Sequence, residues 1–132
     1  MANEIKLTFG PSSEGTLENK DHKLAVSYSG QGFAPYELFL GGFAACLHAT
    51  FGGIMHKRKL KYENVEYKVV GYKRDEVPTV LNKVVTDIVI IGSESEKQKS
   101  VIKSMEQAEK YCSISQTIAG LDAEMIFNIE FK

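Results

Sequence analysis

The pattern of apolar and polar positions predicts three short strands at the start of the chain. Apolar residues alternate with polar ones over residues 5–9 and again over residues 24–28, which is typical of strands with one buried face. A weaker strand is predicted around residues 16–18. Residues 10–15 are rich in glycine, proline and serine and predict a turn between the first two strands. A glycine-containing loop at residues 29–34 closes this section.

A long helix is predicted from Pro35 to about residues 57–59. Proline suits the first turn of a helix because its missing N–H has no partner there, and the basic residues at the far end complement the helix dipole. Residues 38–55 are apolar on nearly every side and reach the lower edge of a membrane-spanning length. We reject a membrane span, because four glycines weaken an isolated helix and the remaining pattern consists of half-buried strands. A second subunit that covers part of the helix better explains why residues 38–55 are apolar on nearly every side.

The second half of the chain predicts two long strands near residues 64–74 and 80–91, joined by a hairpin connection. Ser93 and Glu96 form a capping box that predicts the start of a second helix. Its apolar face recurs at spacings of four, three and four residues, at Val101, Met105, Ala108 and Cys112. A final strand alternates over residues 125–131. The order β-β-β-α-β-β-α-β predicts an α+β fold, with mostly antiparallel sheet packed on two main helices.

Composition and charge narrow the class of protein. The chain has 132 residues, enough for a single domain over residues 1–132 with a buried core. A net charge of −1 gives no indication of a nucleic-acid or anionic membrane partner. The N-terminus enters a strand at once, without the basic and apolar segments of a signal peptide, so we expect a cytoplasmic location. In that reducing compartment a transient catalytic disulfide is more common than a permanent one.

The two cysteines are the residues that carry chemistry. Cys46 lies inside the first helix, among neighbours that combine small and phenyl side chains: Phe39, Gly42, Phe43, Ala49 and Thr50. Free cysteine is often a plain core residue, and this reading applies to Cys112 as well. Thiol chemistry needs a thiolate, and an apolar site alone raises the pKa of a cysteine. A cation or another donor must therefore approach Cys46 from a different element, with His22, Arg58 and Arg74 as the possible cations.

Other residues have simpler explanations. His48 is on the opposite side of the helix from Cys46, and we interpret it as a hydrogen-bonded helix residue. Glu37 lies in the first turn, where the helix dipole favours a carboxylate, although it could orient an arginine near the thiol. The scattered histidines and cysteines match no metal-ligand spacing. A ridge of small residues at four-residue spacing predicts either close approach of a second helix or a tight helix–sheet contact within one subunit: Gly41, Ala45, Ala49 and Gly53.

These features resemble the OsmC/Ohr superfamily of thiol-dependent peroxidases. The resemblance is carried by the segment PYELFLGGFAAC at residues 35–46, by Tyr111-Cys112 after the second helix, and by the order of elements between them. It implies an intertwined homodimer with central cysteine-bearing helices. It also implies reduction of organic hydroperoxides in oxidative-stress defence, with a lipoyl-type dithiol or another small thiol as reductant. No metal or organic cofactor is implied.

By the same resemblance, Cys46 matches the peroxidatic cysteine and Cys112 the resolving cysteine, and Glu37 is a candidate catalytic residue. Tyr36, Phe39 and Phe43 are candidates for contact with an apolar substrate. The chain departs from the family pattern in three ways: the acid follows Tyr36 instead of the proline directly, no arginine precedes Arg58, and Ser113 stands where proline is frequent. The alternative function is a dimeric module that binds a hydrophobic ligand or acts in stress, with inert cysteines.

Overall fold

The computed structural model describes residues 2–132, which form two compact units that divide between Phe39 and Leu40. The N-terminal unit contains an antiparallel sheet of three strands in the order β1-β2-β3. These strands are β1 (Lys6–Phe9), β2 (Glu14–Glu18) and β3 (Lys23–Ser27). All three strands were predicted, with bounds that differ by at most two residues. The prediction of a single domain over residues 1–132 stays a prediction.

The N-terminal unit buries little apolar surface. Val26 is buried, but Ile5, Leu7 and Phe9 are exposed along one strand, even though their alternation predicts a covered face. A sheet with an apolar face gains stability only when another surface covers that face. This unit therefore presents an uncovered apolar surface on β1.

Helix α1 (Pro35–Lys57) has the predicted bounds and one buried stripe. The buried side chains recur every fourth residue, at Phe43, Leu47, Phe51 and Met55. By length and composition alone, the helix could cross a membrane. Only 22% of its most apolar window is buried in the protomer. Its other sides carry half-buried and exposed residues, so the apolar helix is only partly covered by its own chain.

The second unit, Leu40–Lys132, contains the larger sheet, in the order β4-β5-β6. Its elements are β4 (Asn64–Lys73), β5 (Leu81–Ile91), α2 (Gln98–Tyr111), α3 (Ser113–Ala119) and β6 (Glu124–Phe131). β4 and β5 are antiparallel neighbours, as predicted for a hairpin, whereas β5 and β6 are parallel. Parallel neighbours need a crossover connection, which α2 and α3 provide.

The start of the second helix differs from the prediction. The capping box of Ser93 and Glu96 is wrong: a short 3-10 helix spans Ser95–Lys97, and its capping residue, Glu94, makes no side-chain capping bond. Instead, the Ser95 hydroxyl donates to the Glu96 carboxylate at 3.5 Å. The sequence motif fails here because the helical turn begins later, at Ser95, and the Glu96 carboxylate accepts from the Ser95 hydroxyl.

The short helix α3 has no counterpart among the elements that the sequence pattern predicts. The chain leaves helical geometry at Cys112, with φ −68° and ψ 117°, and re-enters it at Ser113. Residues 113–119 contain serine, threonine and isoleucine, which are weaker helix formers than alanine or leucine. α3 depends on packing for its stability, since the buried Ile118 anchors it in the core.

The hydrophobic core of the second unit joins α1 to β5, α2 and α3. Its fully buried members from the sheet and the later helices are Val84, Ile88, Ile90, Val101, Met105, Ala108, Cys112 and Ile118. The predicted apolar face of the second helix is therefore confirmed. Aromatic rings extend this core, since Phe43 of α1 packs against Phe127 of β6 with ring centroids 6.3 Å apart.

One core residue, Thr86, carries a polar group whose burial is unfavourable. The Thr86 hydroxyl on β5 is fully buried and has no hydrogen-bond partner within residues 2–132. We expect Thr86→Val to raise the free energy of unfolding by about 1 kcal/mol, because it removes a desolvated hydroxyl and keeps the branched shape. Chemical denaturation measures this. The exposed strand residue Thr8 gives the matched control Thr8→Val, for which we expect little change; a destabilised Thr86→Val would contradict the interpretation.

Candidate active site

The candidate site is built around Cys46, in the middle of α1. Its neighbour Leu47 is fully buried in the core, whereas the Cys46 side chain is half-buried. The Thr50 hydroxyl, one turn later, donates to the Cys46 carbonyl at 3.1 Å. The thiol is therefore held on a rigid helix at the edge of the core.

Cys112 occupies the break between α2 and α3. Its side chain is fully buried, and its backbone N–H donates to the Ala108 carbonyl at 2.8 Å, which closes α2. Its sulfur accepts the backbone N–H of Ser115 at 3.4 Å, which caps α3. Because both helices end on this residue, the position of the second thiol is fixed by the backbone.

The structure brings the two thiols together, although they are remote in sequence. Both cysteines are free, and each thiol affects the pKa of the other. The Ser113 hydroxyl lies 3.8 Å from the Cys46 sulfur, within the range of hydrogen bonds to sulfur. Cys46 therefore faces the chain segment that begins at Cys112.

The pKa of the Cys46 thiol is lowered from its ordinary value. The backbone N–H of Ile114 is the largest cause, because a hydrogen bond to the sulfur stabilises the thiolate. Burial opposes the shift, and the side chains of Cys112 and Ser113 and the Ser113 backbone add to the lowering. All the groups that lower this pKa are neutral donors. Cys46 thus has a pKa shift that favours nucleophilic chemistry.

Cys112 shows the opposite shift. Burial is the largest cause that raises the pKa of its thiol, and the neighbouring Cys46 raises it further. The backbone N–H of Ser115 lowers it, but to a smaller extent. The site therefore pairs a thiol that ionises easily with one that keeps its proton, which distinguishes the two residues chemically.

The cations proposed from sequence are engaged elsewhere or lie in the other unit. The Arg58 guanidinium donates to the Ser104 hydroxyl at 3.0 Å and to the Gln107 side chain at 2.6 Å. Arg74 donates to the Pro78 carbonyl at 2.9 Å. His22 belongs to the N-terminal unit. The requirement for a donor from another element is met by the Cys112–Ile114 segment.

Three predicted site residues lie at the start of α1, in the N-terminal unit. The Glu37 carboxylate accepts the backbone N–H of Ala34 at 2.7 Å, which satisfies a donor at the helix start. Tyr36 and Phe39 form an edge-to-face pair with centroids 6.1 Å apart, and both are partly exposed. The catalytic role of Glu37 and the substrate contacts of the two rings stay predictions.

Phe43 and His48 lie in the second unit. Phe43 is fully buried in the core, so its predicted contact with substrate stays a prediction. His48 is a hydrogen-bonded helix residue, as predicted: its Nδ1 is 2.9 Å from the Tyr67 hydroxyl, and its Nε2 is 3.5 Å from that of Tyr62. Burial raises the pKa of Tyr67 well above its ordinary value, so this hydroxyl keeps its proton.

A cleft of about 520 Å³ lies between α1 and α2, about one turn beyond Cys46 along α1. Thr50, whose hydroxyl bonds to Cys46, and Tyr111, which precedes Cys112, are among its lining residues. Ala49 and Ile54 give it an apolar wall, and Lys57 and Arg58 line it as well. This α1–α2 cleft therefore combines apolar and basic lining residues, and it includes Gly53 of the small-residue ridge.

The sequence pattern does not indicate that Ser113 and Ile114 are hydrogen-bond donors to the Cys46 thiol. Ser113 was noted as a departure from the family pattern, but not as a group that contacts the thiol. Its hydroxyl follows a buried cysteine directly, and a polar residue at that position is the signal that could have found it. The backbone N–H of Ile114 carries no signal in the sequence, because every residue other than proline has one.

The fold and site define a class: an α+β protein with a thiol on its long helix and a second thiol at a helix break. A family model described as OsmC-like protein matches residues 28–125. The chain belongs to the OsmC-like family, and the expected superfamily and α+β fold are confirmed. No curated protein matches the chain by sequence.

Solved structures share this fold along the whole chain. The OsmC-like protein from Mycoplasma pneumoniae has a TM-score of 0.88 at 17% identity, covering 99% of this chain and 97% of that one. An organic hydroperoxide resistance protein from Legionella pneumophila has a TM-score of 0.72 at 17% identity, with 98% of both chains covered. OhrB of Bacillus subtilis has a TM-score of 0.67 at 16% identity, covering 100% and 98%.

The opposite pKa shifts predict which thiol reacts first. At neutral pH we expect iodoacetamide to modify Cys46 several-fold faster than Cys112, because the lowered pKa gives Cys46 the larger thiolate fraction and Cys112 is also fully buried. Peptide mass spectrometry at short times measures both rates. In denaturant the two cysteines should react alike, which provides the control. Equal rates in the folded protein would contradict the assignment.

Proposed function

We propose that the protein is a cysteine-based peroxidase that reduces organic hydroperoxides. The observation that carries the proposal is the position of Cys46 at the Cys112–Ile114 segment, whose donors and second thiol lower the pKa of Cys46. An inert core cysteine has no need of either feature. Membership of the OsmC-like family and the fold shared with organic hydroperoxide resistance proteins support the same function.

The reaction proceeds in three steps: oxidation of Cys46, formation of a disulfide and reduction of that disulfide. The Cys46 thiolate attacks the distal oxygen of the hydroperoxide, the O–O bond breaks, and the alkoxide takes a proton and leaves as an alcohol. Cys46 is now a sulfenic acid, which condenses with the Cys112 thiol to form a disulfide and water. An external dithiol opens this disulfide by exchange and is itself oxidised. We propose a lipoyl-type dithiol or another small thiol as this reductant, and the cytoplasm as the compartment.

We propose that the functional unit is a homodimer. The ridge of small residues on α1, Gly41, Ala45, Ala49 and Gly53, is exposed in the protomer. A Cβ atom added at Gly41 or Gly53 would meet no atom within 4 Å, so no tight helix–sheet contact accounts for these glycines. Small residues at four-residue spacing permit close helix–helix approach, and a second copy would cover this ridge. The apolar face of β1 offers further surface for the same partner.

The alternative is a dimeric module that binds a hydrophobic ligand with inert cysteines. The α1–α2 cleft supports binding of an apolar molecule. The lowered pKa of Cys46 favours the peroxidase, because a merely structural thiol in an apolar site has a raised pKa. The cleft shares Ala49 and Gly53 with the small-residue ridge, so the proposed dimer would cover part of it.

Single substitutions at the two cysteines test the proposed function. We expect Cys46→Ser to abolish reaction with an alkyl hydroperoxide, because it removes the nucleophile. Cys112→Ser should still consume about one equivalent of peroxide per chain, but should not form the disulfide that a dithiol reduces. Stopped-flow mixing followed by intact-mass measurement distinguishes the two. Wild-type protein that reacts no faster than free cysteine would falsify the proposal.

The dimer predicts the effect of a large charged residue on the ridge. We expect Gly53→Glu to dissociate the dimer while each protomer keeps its helical signal, because position 53 has open space within the protomer. Light scattering gives the mass, and circular dichroism gives the helical content. Ser100→Glu, which places the same side chain on the exposed part of α2, is the matched control and should stay dimeric. A Gly53→Glu protein with unchanged mass would contradict this interface.

A further inference from the structure

Ser113 occupies an unusual position beside the candidate nucleophile. It is the first residue of α3 and follows Cys112 directly. Its hydroxyl lies 3.8 Å from the Cys46 sulfur, which is its only hydrogen-bond partner within residues 2–132. An exposed serine could satisfy its hydroxyl with water alone, yet this one is aimed at a sulfur.

The backbone holds Ser113 in place. The carbonyl of Cys112 accepts the backbone N–H of Gln116 at 3.0 Å, and the carbonyl of Ser113 accepts the Thr117 hydroxyl at 2.8 Å. The buried Ser115 and Ile118 anchor the same short helix in the core. The geometry of the hydroxyl is therefore set by packing of α3 and does not depend on a mobile loop.

We propose that Ser113 is a catalytic residue, whose hydroxyl donates a hydrogen bond to the Cys46 thiolate and stabilises it for attack on peroxide. This inference rests on the proposed function. In the protonated pair either group can donate, but a thiolate can only accept, so the hydroxyl is then the donor. A hydrogen bond to an ionised acceptor is stronger than one between neutral groups.

A neutral donor such as the Ser113 hydroxyl matters more for the pKa of Cys46 where no guanidinium contacts the thiol. The second unit places no guanidinium against Cys46, since Arg58 and Arg74 bond to other groups. The Ser113 hydroxyl is among the groups that lower the pKa of Cys46, after the backbone N–H of Ile114. Loss of the hydroxyl should therefore weaken thiolate formation without abolishing it.

The test is the pH dependence of Cys46 alkylation in Ser113→Ala, followed by peptide mass spectrometry. We expect the midpoint to rise by about one unit, which lowers the thiolate fraction at neutral pH about tenfold. The more basic thiolate is also a better nucleophile, by about threefold per unit, so neutral-pH alkylation should slow about threefold overall. Above both midpoints, the variant should react about threefold faster than the wild type.

Two further variants separate the hydroxyl from its surroundings. Ser113→Thr keeps the hydroxyl and should restore a midpoint close to that of the wild type. Ser113→Pro removes both the hydroxyl and the backbone N–H and should raise the midpoint further. Proline is compatible with the first position of a helix, and the extended ψ of 117° at Cys112 is what a residue before proline adopts. Ser100→Ala, an exposed serine on α2, is the matched control and should leave the midpoint unchanged.

The crossing of the two rate profiles is the deciding result, because a general structural defect would slow or accelerate alkylation at every pH. An unchanged midpoint in Ser113→Ala would overturn the inference, even if Ser113→Pro raised the midpoint or peroxide reduction were slower. If the wild type reduced no hydroperoxide but Ser113→Ala still raised the midpoint, the proposed function would fail and the thiolate role of Ser113 would stand.

Discussion

The chemistry of this protein depends on the packing of α1 against the break between α2 and α3. Cys46 is held by a helix whose buried stripe anchors it in the core, and Cys112 ends one helix and begins the next. The extended backbone at Cys112 directs the N–H of Ile114 and the hydroxyl of Ser113 towards the Cys46 sulfur. A continuous helix through residue 112 would bond those N–H groups within itself and leave the thiol without donors.

The same arrangement gives the two thiols different properties. Burial raises the pKa of Cys112, whereas hydrogen bonds lower that of Cys46 despite its partial burial. Under the proposed mechanism, this difference assigns attack to the half-buried thiol and resolution to the buried one. The pair resides entirely in the second unit, on elements joined by one core, so its geometry is as rigid as that core.

Several surfaces of the protomer are incomplete. α1 exposes its ridge of small residues, and the N-terminal sheet exposes apolar residues of β1. A helix that is apolar on most sides but only partly covered leaves apolar surface exposed, and a second chain can bury that surface. The proposed homodimer accounts for these exposed surfaces.

The sequence by itself determined the elements that have a strong period: the three N-terminal strands, α1, the two long strands, the apolar face of α2 and the final strand. It also identified the family and both cysteines. It did not determine α3, because residues 113–119 lack strong helix formers and gain their helical state from packing of Ile118. Only the tertiary structure decided which groups lower the pKa of Cys46. Backbone N–H groups are the same at almost every position in a sequence, and a donor acquires a role only when folding aims it at a particular sulfur.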